Sequence, residues 1–346
     1  MESLSRQQFS FKGKLTREKP EGLQAGAPLT QIRGPKEALG RVATELTEAE
    51  AELATLLVSD VAEIEQIASY LAAAGGKRLR PALTALGARA VGVKGSIGRL
   101  MCVGELIHLG SLLHDDVVDG AETRRGQRAA HHHFGNAASI LSGDFCLARA
   151  MLLASEEGGP EAAHSLAQVV TDMAEGEVMQ LRWAGDLDCT IETYLKLIDK
   201  KSAALISWCV AAGARKSGDA EMSGRLVEFG RHLGIAFQIT DDVLDYRTGT
   251  GKVPGADLRE RKVTLPLLYA MEKEPSIRRV LQEGAPSPAL VERLMVQVQE
   301  SGGLNRALEY ARARIEHALI DLACVPEGPD RRALEVLANY IVERSV

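Results

Sequence analysis

Residues 97–119 read IGRLMCVGELIHLGSLLHDDVVD. Leu106, Ile107, Leu109, Leu112 and Leu113 recur at helical spacing, and the stretch is apolar around most of its circumference, as a helix enclosed by others must be. It ends in three acids, Asp115, Asp116 and Asp119. A helix advances about 100° per residue, so Asp115 and Asp119 face the same way and repel. Carboxylates carried by an apolar helix toward a cavity need a cation or a partner. The arrangement recurs in residues 236–246, AFQITDDVLDY, where Asp241, Asp242 and Asp245 follow a second apolar run. Two such triplets are far more specific than one.

Helical spacing also dominates the rest of the chain. Leu53, Leu56, Leu57, Val61, Ile64, Ile67, Ala68 and Leu71 repeat at three and four, and Thr47 and Glu50 are spaced as a capping box. Similar patterns predict helices near 81–91, 97–119, 137–155, 161–182, 191–213, 221–247, 262–272, 288–300, 304–322 and 330–344. Strand alternation is scarcely found. The expected fold class is all-α, a multi-helix bundle around a central cavity. No linker interrupts the chain after residue 37, so residues 37–346 are expected to form one domain. Residues 1–36 carry seven Lys/Arg, three Glu and no apolar run, and read as a flexible extension rather than a secretory signal.

The chain has 346 residues and a formal charge of −6, so any polyanion must be met by local basic clusters and a nucleic-acid partner is not expected. Cys102, Cys146, Cys189, Cys209 and Cys324 form no CxxC pair, which points to the reducing cytoplasm rather than to disulfides or zinc. The apolar stretch 202–214 is shorter than the roughly 18–20 residues of a membrane span, so no transmembrane segment is expected.

Facing each other across a bundle, the triplets supply hard oxygen ligands suited to Mg²⁺, which takes one or two carboxylates per ion and leaves room for phosphate oxygens. The inferred ligand is a diphosphate. Residues 75–81, GGKRLRP, and Arg124 and Arg125 add basic groups for a second anion, with glycines that admit close backbone approach. His131, His132 and His133 cannot share one helix face, so they are read as surface residues, and His114 as an orienting hydrogen-bonder.

In this order and spacing, GGKRLRP, IHLGSLLHDDVVD, RRG, KSA and FQITDDVLDY resemble the trans-type polyprenyl diphosphate synthases, over roughly residues 45–346. The resemblance implies the isoprenoid synthase fold, a homodimer, and head-to-tail condensation of isopentenyl diphosphate with an allylic diphosphate. It implies that Asp115 and Asp119 hold two Mg²⁺ ions and Asp241 a third, with Asp116, Asp242 and Asp245 in support. Lys77, Arg80, His108 and Arg125 correspond to the isopentenyl diphosphate clamp. Arg124, Lys201 and Lys262 correspond to residues on the allylic diphosphate, and Gln238 and Ser202 to those near the developing cation. Residues 251–257, GKVPGAD, resemble a lid, with Lys252 a further phosphate ligand. Two positions depart from the family pattern: Ser202 replaces a usual Thr, and Arg261 a usual Gly.

Bond cleavage at the allylic carbon puts charge on a departing pyrophosphate, so Mg²⁺, Arg and Lys can catalyse it electrostatically without a protein nucleophile. A terpene cyclase could share the first triplet but has no need of GGKRLRP and the second. A noncatalytic subunit is expected to lose acids that are retained here, whereas a catalytic subunit needing a small partner remains open. Ser111 lies one turn before Asp115 and Ile107 another turn down. In the resembling family bulky aromatics one turn before the first triplet give short products; here Gly110 and Ser111 are small and Gly104 opens a deeper level, so a chain of hexaprenyl to decaprenyl length is expected, each turn of about 5.4 Å matching one isoprene unit. Short-chain farnesyl or geranylgeranyl synthesis is the alternative.

Overall fold

The computed structural model describes residues 32–247 and 254–344. Among the described residues it is helical almost throughout. The chain opens with α1 (Pro35–Gly40), α2 (Ala43–Leu56), α3 (Ala62–Ala73), α4 (Leu79–Ala90) and α5 (Gly98–Val118). A hairpin of β1 (Thr123–Arg124) and β2 (Gln127–Arg128) leads to α6 (Ala130–Phe134), α7 (Asn136–Trp183) and α8 (Ile191–Ile198). A π-helical segment, Asp199–Ala203, joins α8 to α9 (Ala204–Arg215), and α10 (Ala220–Asp245) carries the second triplet. The remainder is α11 (Ala256–Arg259), α12 (Leu265–Lys273), α13 (Pro275–Gln282), α14 (Pro288–Ser301), α15 (Gly303–Leu322) and α16 (Pro329–Glu343).

Local chemistry sets the boundaries. Thr190, Asp219 and Ser287 cap α8, α10 and α14 by accepting the N–H of Thr193, Met222 and Leu290, and Gly302 closes α14 in the left-handed region. Other boundaries differ from expectation. The apolar pattern from Leu53 to Leu71 is two helices, because the chain turns at residues 57–61, where Ser59 Oγ accepts the Val61 N–H. Thr47 is not a cap; it lies inside α2 with its hydroxyl on the Ala43 carbonyl. The helices near 137–155 and 161–182 are one long element kinked at Gly159 (φ 73°) before Pro160. Lys262 lies in a loop ahead of α12, and α1 already begins inside the expected 1–36 extension, with Ala38 buried.

The core is continuous, and α5 is buried over most of its length. Glycines let the backbones close in. A Cβ on Gly87 of α4 would lie 2.3 Å from the Val210 carbonyl oxygen, and one on Gly213 of α9 only 2.1 Å from that of Thr84. These reciprocal contacts leave neither helix room to retreat. Gly213→Ala should therefore destabilise the fold by about 1–3 kcal/mol, despite the helix propensity of alanine. Urea unfolding reads this directly, and an unchanged midpoint would refute so close a crossing.

Candidate active site

The first triplet divides its work. Asp116 turns inward, 1% exposed, and one of its oxygens takes both Nε (2.7 Å) and Nη2 (2.6 Å) of Arg124. It therefore fastens the β1–β2 hairpin to the end of α5, while its other oxygen has no protein partner. Burial pushes the Asp115 carboxyl up to about 6, with Lys201 opposing and Glu177 and Asp119 adding to the shift. Lys201 pairs with Glu177. Asp119 lies 3.5 Å from Lys262 Nζ, which also meets Glu260 at 2.6 Å. Burial opposes the charge on Lys262, but Glu260, Asp119 and Asp257 together raise its pKa.

The second triplet divides likewise. Asp241 pairs with Arg344 Nη2 at 2.7 Å, and that guanidinium lies over the Phe237 ring. Asp242 is buried, with Tyr194 Oη donating at 2.5 Å and Gln238 Nε2 at 2.8 Å. Burial pushes its carboxyl up, and these two donors pull it back toward the ionised form. Asp245 accepts the backbone N–H groups of Ala256 and Asp257, fixing the chain where it re-enters after residue 253. Direct ligation by all six acids is thus not what the arrangement favours, because Asp116, Asp242 and Asp245 are engaged with protein donors. Asp119 and Asp241 have cationic partners, Lys262 and Arg344, that a metal ion could displace, and Asp115 lies in the field of Lys201. Among the described residues no three His, Cys, Asp or Glu side chains converge as a ready-made cage. A donor set of one or two hard carboxylates per ion, with the charge on Asp115 disfavoured mainly by burial, fits Mg²⁺ that completes its shell from substrate and water.

The basic residues gather in one place. The hairpin tip, Arg125 and Gly126, has positive φ at both positions (51° and 77°), as a type I′ turn requires. It delivers the Arg125 guanidinium to the Gly75 carbonyl and to 3.5 Å from His108 Nε2. Arg80 is half-buried with its Nε enclosed and unpartnered, and desolvation lowers its pKa while Glu105 raises it. Burial, then Arg80 and Arg125, hold the His108 imidazole well below its usual range, so it is neutral. Lys77 is exposed beside them. Arg78 is structural: it pairs with buried Glu105 at 2.6 Å and with Glu50 at 3.3 Å. Lys252 lies outside the described residues.

A cavity of about 160 Å³ is lined by Tyr194, Lys201, Ser202, Gln238, Asp242 and Lys262 among others. Lys201 and Ser202 lie on the π-helical segment, where the expected helix over 191–213 is broken. Such bulges recur at functional sites. Ser202 Oγ donates to Gln238 Oε1 at 2.7 Å. The adjoining loop has Arg261 at φ 57°, a left-handed conformation that favours glycine, and the Gly185 N–H donates to the Arg261 carbonyl at 2.7 Å.

The expected chain-length face is only partly retained. Gly104 faces α9, with a Cβ there 2.3 Å from Cys209 Sγ, and Gly110 faces α7, 2.9 Å from the Gly143 carbonyl oxygen. Both are small because helices cross there, not because a channel passes. Ile107 is buried and Ser111 half-buried, its hydroxyl on the His108 carbonyl. His114 joins α5 to α7 through the Ile140 carbonyl. His132 approaches Glu122, and His133 packs on Tyr70. Arg344 was missed in the sequence, where a lone arginine near the C-terminus gives no signal.

This combination, acid triplets closing two apolar helices of an all-α bundle with Arg124 and Lys262 paired to the first of them, defines a diphosphate-handling enzyme. Residues 61–297 match the Polyprenyl synthetase family, and the chain belongs to it. It is 38% identical over 298 residues to octaprenyl diphosphate synthase of Escherichia coli (strain K12), spanning 83% of this chain and 92% of that one. It is 32% identical to the chloroplastic solanesyl diphosphate synthase 1 of Arabidopsis thaliana over 88% of this chain and 77% of that one. The polyprenyl synthase of Caulobacter crescentus CB15, solved with calcium and isoprenyl diphosphate, superposes with a TM-score of 0.86 at 38% identity, covering 90% of this chain and 98% of that one. For the decaprenyl diphosphate synthase of Rhodobacter capsulatus the TM-score is 0.85 at 36% identity, covering 90% and 99%.

Neighbouring acids should respond oppositely to substitution. Asp116→Ala strands the Arg124 guanidinium and should cost about 1.5–3 kcal/mol. The raised pKa of Asp115 means that its ionised form costs the fold stability as pH rises through about 6, so Asp115→Asn should hold or raise the thermal midpoint at neutral pH. Equal losses for the two variants would refute this division.

Proposed function

We propose that this protein condenses isopentenyl diphosphate with an allylic diphosphate primer, head to tail, and extends it to a linear chain of hexaprenyl to decaprenyl length. The observation that carries the reading is a set of cationic side chains too large for one diphosphate. Arg80 and Arg125 flank neutral His108 with Lys77 exposed nearby, and Arg124, Lys201 and Lys262 lie by the first triplet. Six cations beside two acid triplets suit two diphosphate substrates. The octaprenyl, solanesyl and decaprenyl synthases among its relatives support the long-chain assignment.

In this reading Asp115, Asp119 and Asp241 would hold Mg²⁺, three ions with diphosphate bound, which neutralises charge growing on the leaving group. Lys201, Lys262 and Arg124 hold the allylic diphosphate as its C–O bond breaks. Lys77, Arg80 and Arg125 hold isopentenyl diphosphate, with neutral His108 beside them, so that its alkene attacks the allylic carbon. The new C–C bond leaves a cation that loses a proton to the departed pyrophosphate. The oxygens of Gln238 and Ser202 face the cationic stage.

The protein acts as a homodimer through α7, where Leu141 and Leu152 are 60% and 58% exposed on one side of the helix. By length and composition alone α7 could cross a membrane, but it is kinked and much of it packs in the bundle. We assign it to the cytoplasm, where its five free cysteines stay reduced. Residues 37–346 act as the synthase domain, with α1 extending it to Pro35.

Incubation with labelled isopentenyl diphosphate, each primer in turn and Mg²⁺, followed by product sizing, should give products of six to ten isoprene units. Asp115→Ala or Asp241→Ala should lower turnover by orders of magnitude with the helical content intact. Near-normal activity in either variant, or in excess EDTA, would sink the reading.

Ser111→Phe should place a ring one turn below Asp115 and truncate the product to a few units without abolishing condensation. An unchanged product distribution would remove this face from the channel.

A further inference from the structure

The cavity wall contains a chain of hydrogen-bonded side chains. Tyr194, on α8, is buried and donates to Asp242 Oδ2 at 2.5 Å. Asp242 Oδ1 accepts from Gln238 Nε2 at 2.8 Å, and Gln238 Oε1 accepts from Ser202 Oγ at 2.7 Å. Four side chains from α8, α10 and the π-helical segment are thus linked, with Tyr194 donating to Asp242 from one side and Ser202 through Gln238 from the other.

Direction matters because an amide has two ends of opposite polarity. Its NH₂ is a donor with a positive edge, and its carbonyl oxygen is an acceptor with a negative one. A carboxylate only accepts, so Asp242 admits only the NH₂ end of Gln238 and leaves the oxygen on the side of Ser202. Asp242 can impose this only while its own plane is fixed. Its second oxygen is fixed by the Tyr194 hydroxyl.

We propose that Tyr194 is a positioning residue that acts through Asp242 to set the polarity of Gln238, so that the amide turns its carbonyl oxygen toward a cationic reactant. This rests on the diphosphate synthase reading. The structure favours it over a purely packing role for Tyr194, because packing requires the ring but not a hydroxyl 2.5 Å from a buried carboxylate. A preset dipole stabilises developing charge without reorganising during the reaction. If Asp242 becomes free to rotate, or is replaced by an amide that can also donate, the orientation of Gln238 is no longer specified, and its NH₂ can face the cation.

The test uses Tyr194→Phe, Asp242→Asn and the double variant Asp242→Asn with Gln238→Glu. The double variant keeps one carboxylate and one amide but exchanges their positions, so that the side chain at position 242 can donate and the one at position 238 offers only oxygens. The probes are the single-turnover rate of the first condensation, the KM of each diphosphate, and binding of two unreactive allyl analogues with Mg²⁺ and pyrophosphate. One analogue carries an ammonium nitrogen at the cationic carbon; the other is its neutral isostere. Tyr194→Phe and Asp242→Asn should each weaken the ammonium analogue and slow the single turnover by about tenfold or more, with KM values and the neutral analogue within about twofold. The double variant should recover most of the loss relative to Asp242→Asn. Equal weakening of both analogues, or no recovery in the double variant, overturns the assignment. If Tyr194→Phe does not fold, Asp242→Asn and the double variant decide it alone. A parent protein that makes no product from isopentenyl diphosphate and any primer refutes the synthase reading instead.

Discussion

The structure turns on the cost of burying carboxylates at the ends of α5 and α10. Each helix is apolar for most of its length and closes on three carboxylates, and taking such groups out of water is costly unless they are paired. The protein resolves this with distant cations: Arg124 on Asp116, Lys262 near Asp119, Arg344 on Asp241. Those cations come from the hairpin, the loop before α12 and the C-terminal end of the chain, so neutralising the acids also draws separate segments around the cavity. Asp115 makes no ion pair of this kind, and burial raises its carboxyl to about 6. A cation that relieves it would gain most where the chemistry needs it.

Backbone strain marks the same rim. The three non-glycine residues with positive φ among the described residues are all arginines, Arg78, Arg125 and Arg261. Each lies in a segment carrying phosphate-binding candidates, and left-handed backbone at a residue with a side chain persists only where surrounding contacts over-determine it. For Arg78 those contacts are Glu105 and Glu50, for Arg125 the Gly75 carbonyl, and for Arg261 its exchange with Gly185. The loops are therefore set in shape before any anion arrives, which lowers the entropy lost on binding.

Residues whose chemistry is stated by type and spacing were legible in the sequence. The triplets, GGKRLRP and KSA carry their meaning locally, and the helices follow from periodicity. What could not be read depends on distant partners. Nothing near Arg344 announces Asp241, and nothing near Glu105 announces Arg78. Gly104 and Gly110 show the limit most clearly: a small residue on a helix face reads equally as channel or crossing until the neighbouring helix is placed. Cys209 and Gly143 decide for crossing. The break at Asp199–Ala203 was invisible because helix periodicity continues through it.

That break links packing to chemistry. A Cβ on Gly176 of α7 would lie 2.6 Å from the Lys201 nitrogen, and one on Gly234 of α10 would lie 2.5 Å from Ala203 Cα. The π-helical turn is thus gripped between two helices at points that tolerate no side chain. A straight α-helix through residues 191–215 would rotate everything after the break by about 100° for each residue removed from the bulge. Lys201 and Ser202 would then leave the wall they share with Gln238. The glycines at 176 and 234, which touch no reactant, therefore determine where the reactive side chains stand, and enlarging either displaces Lys201 and Ser202 together without changing any charge in the site.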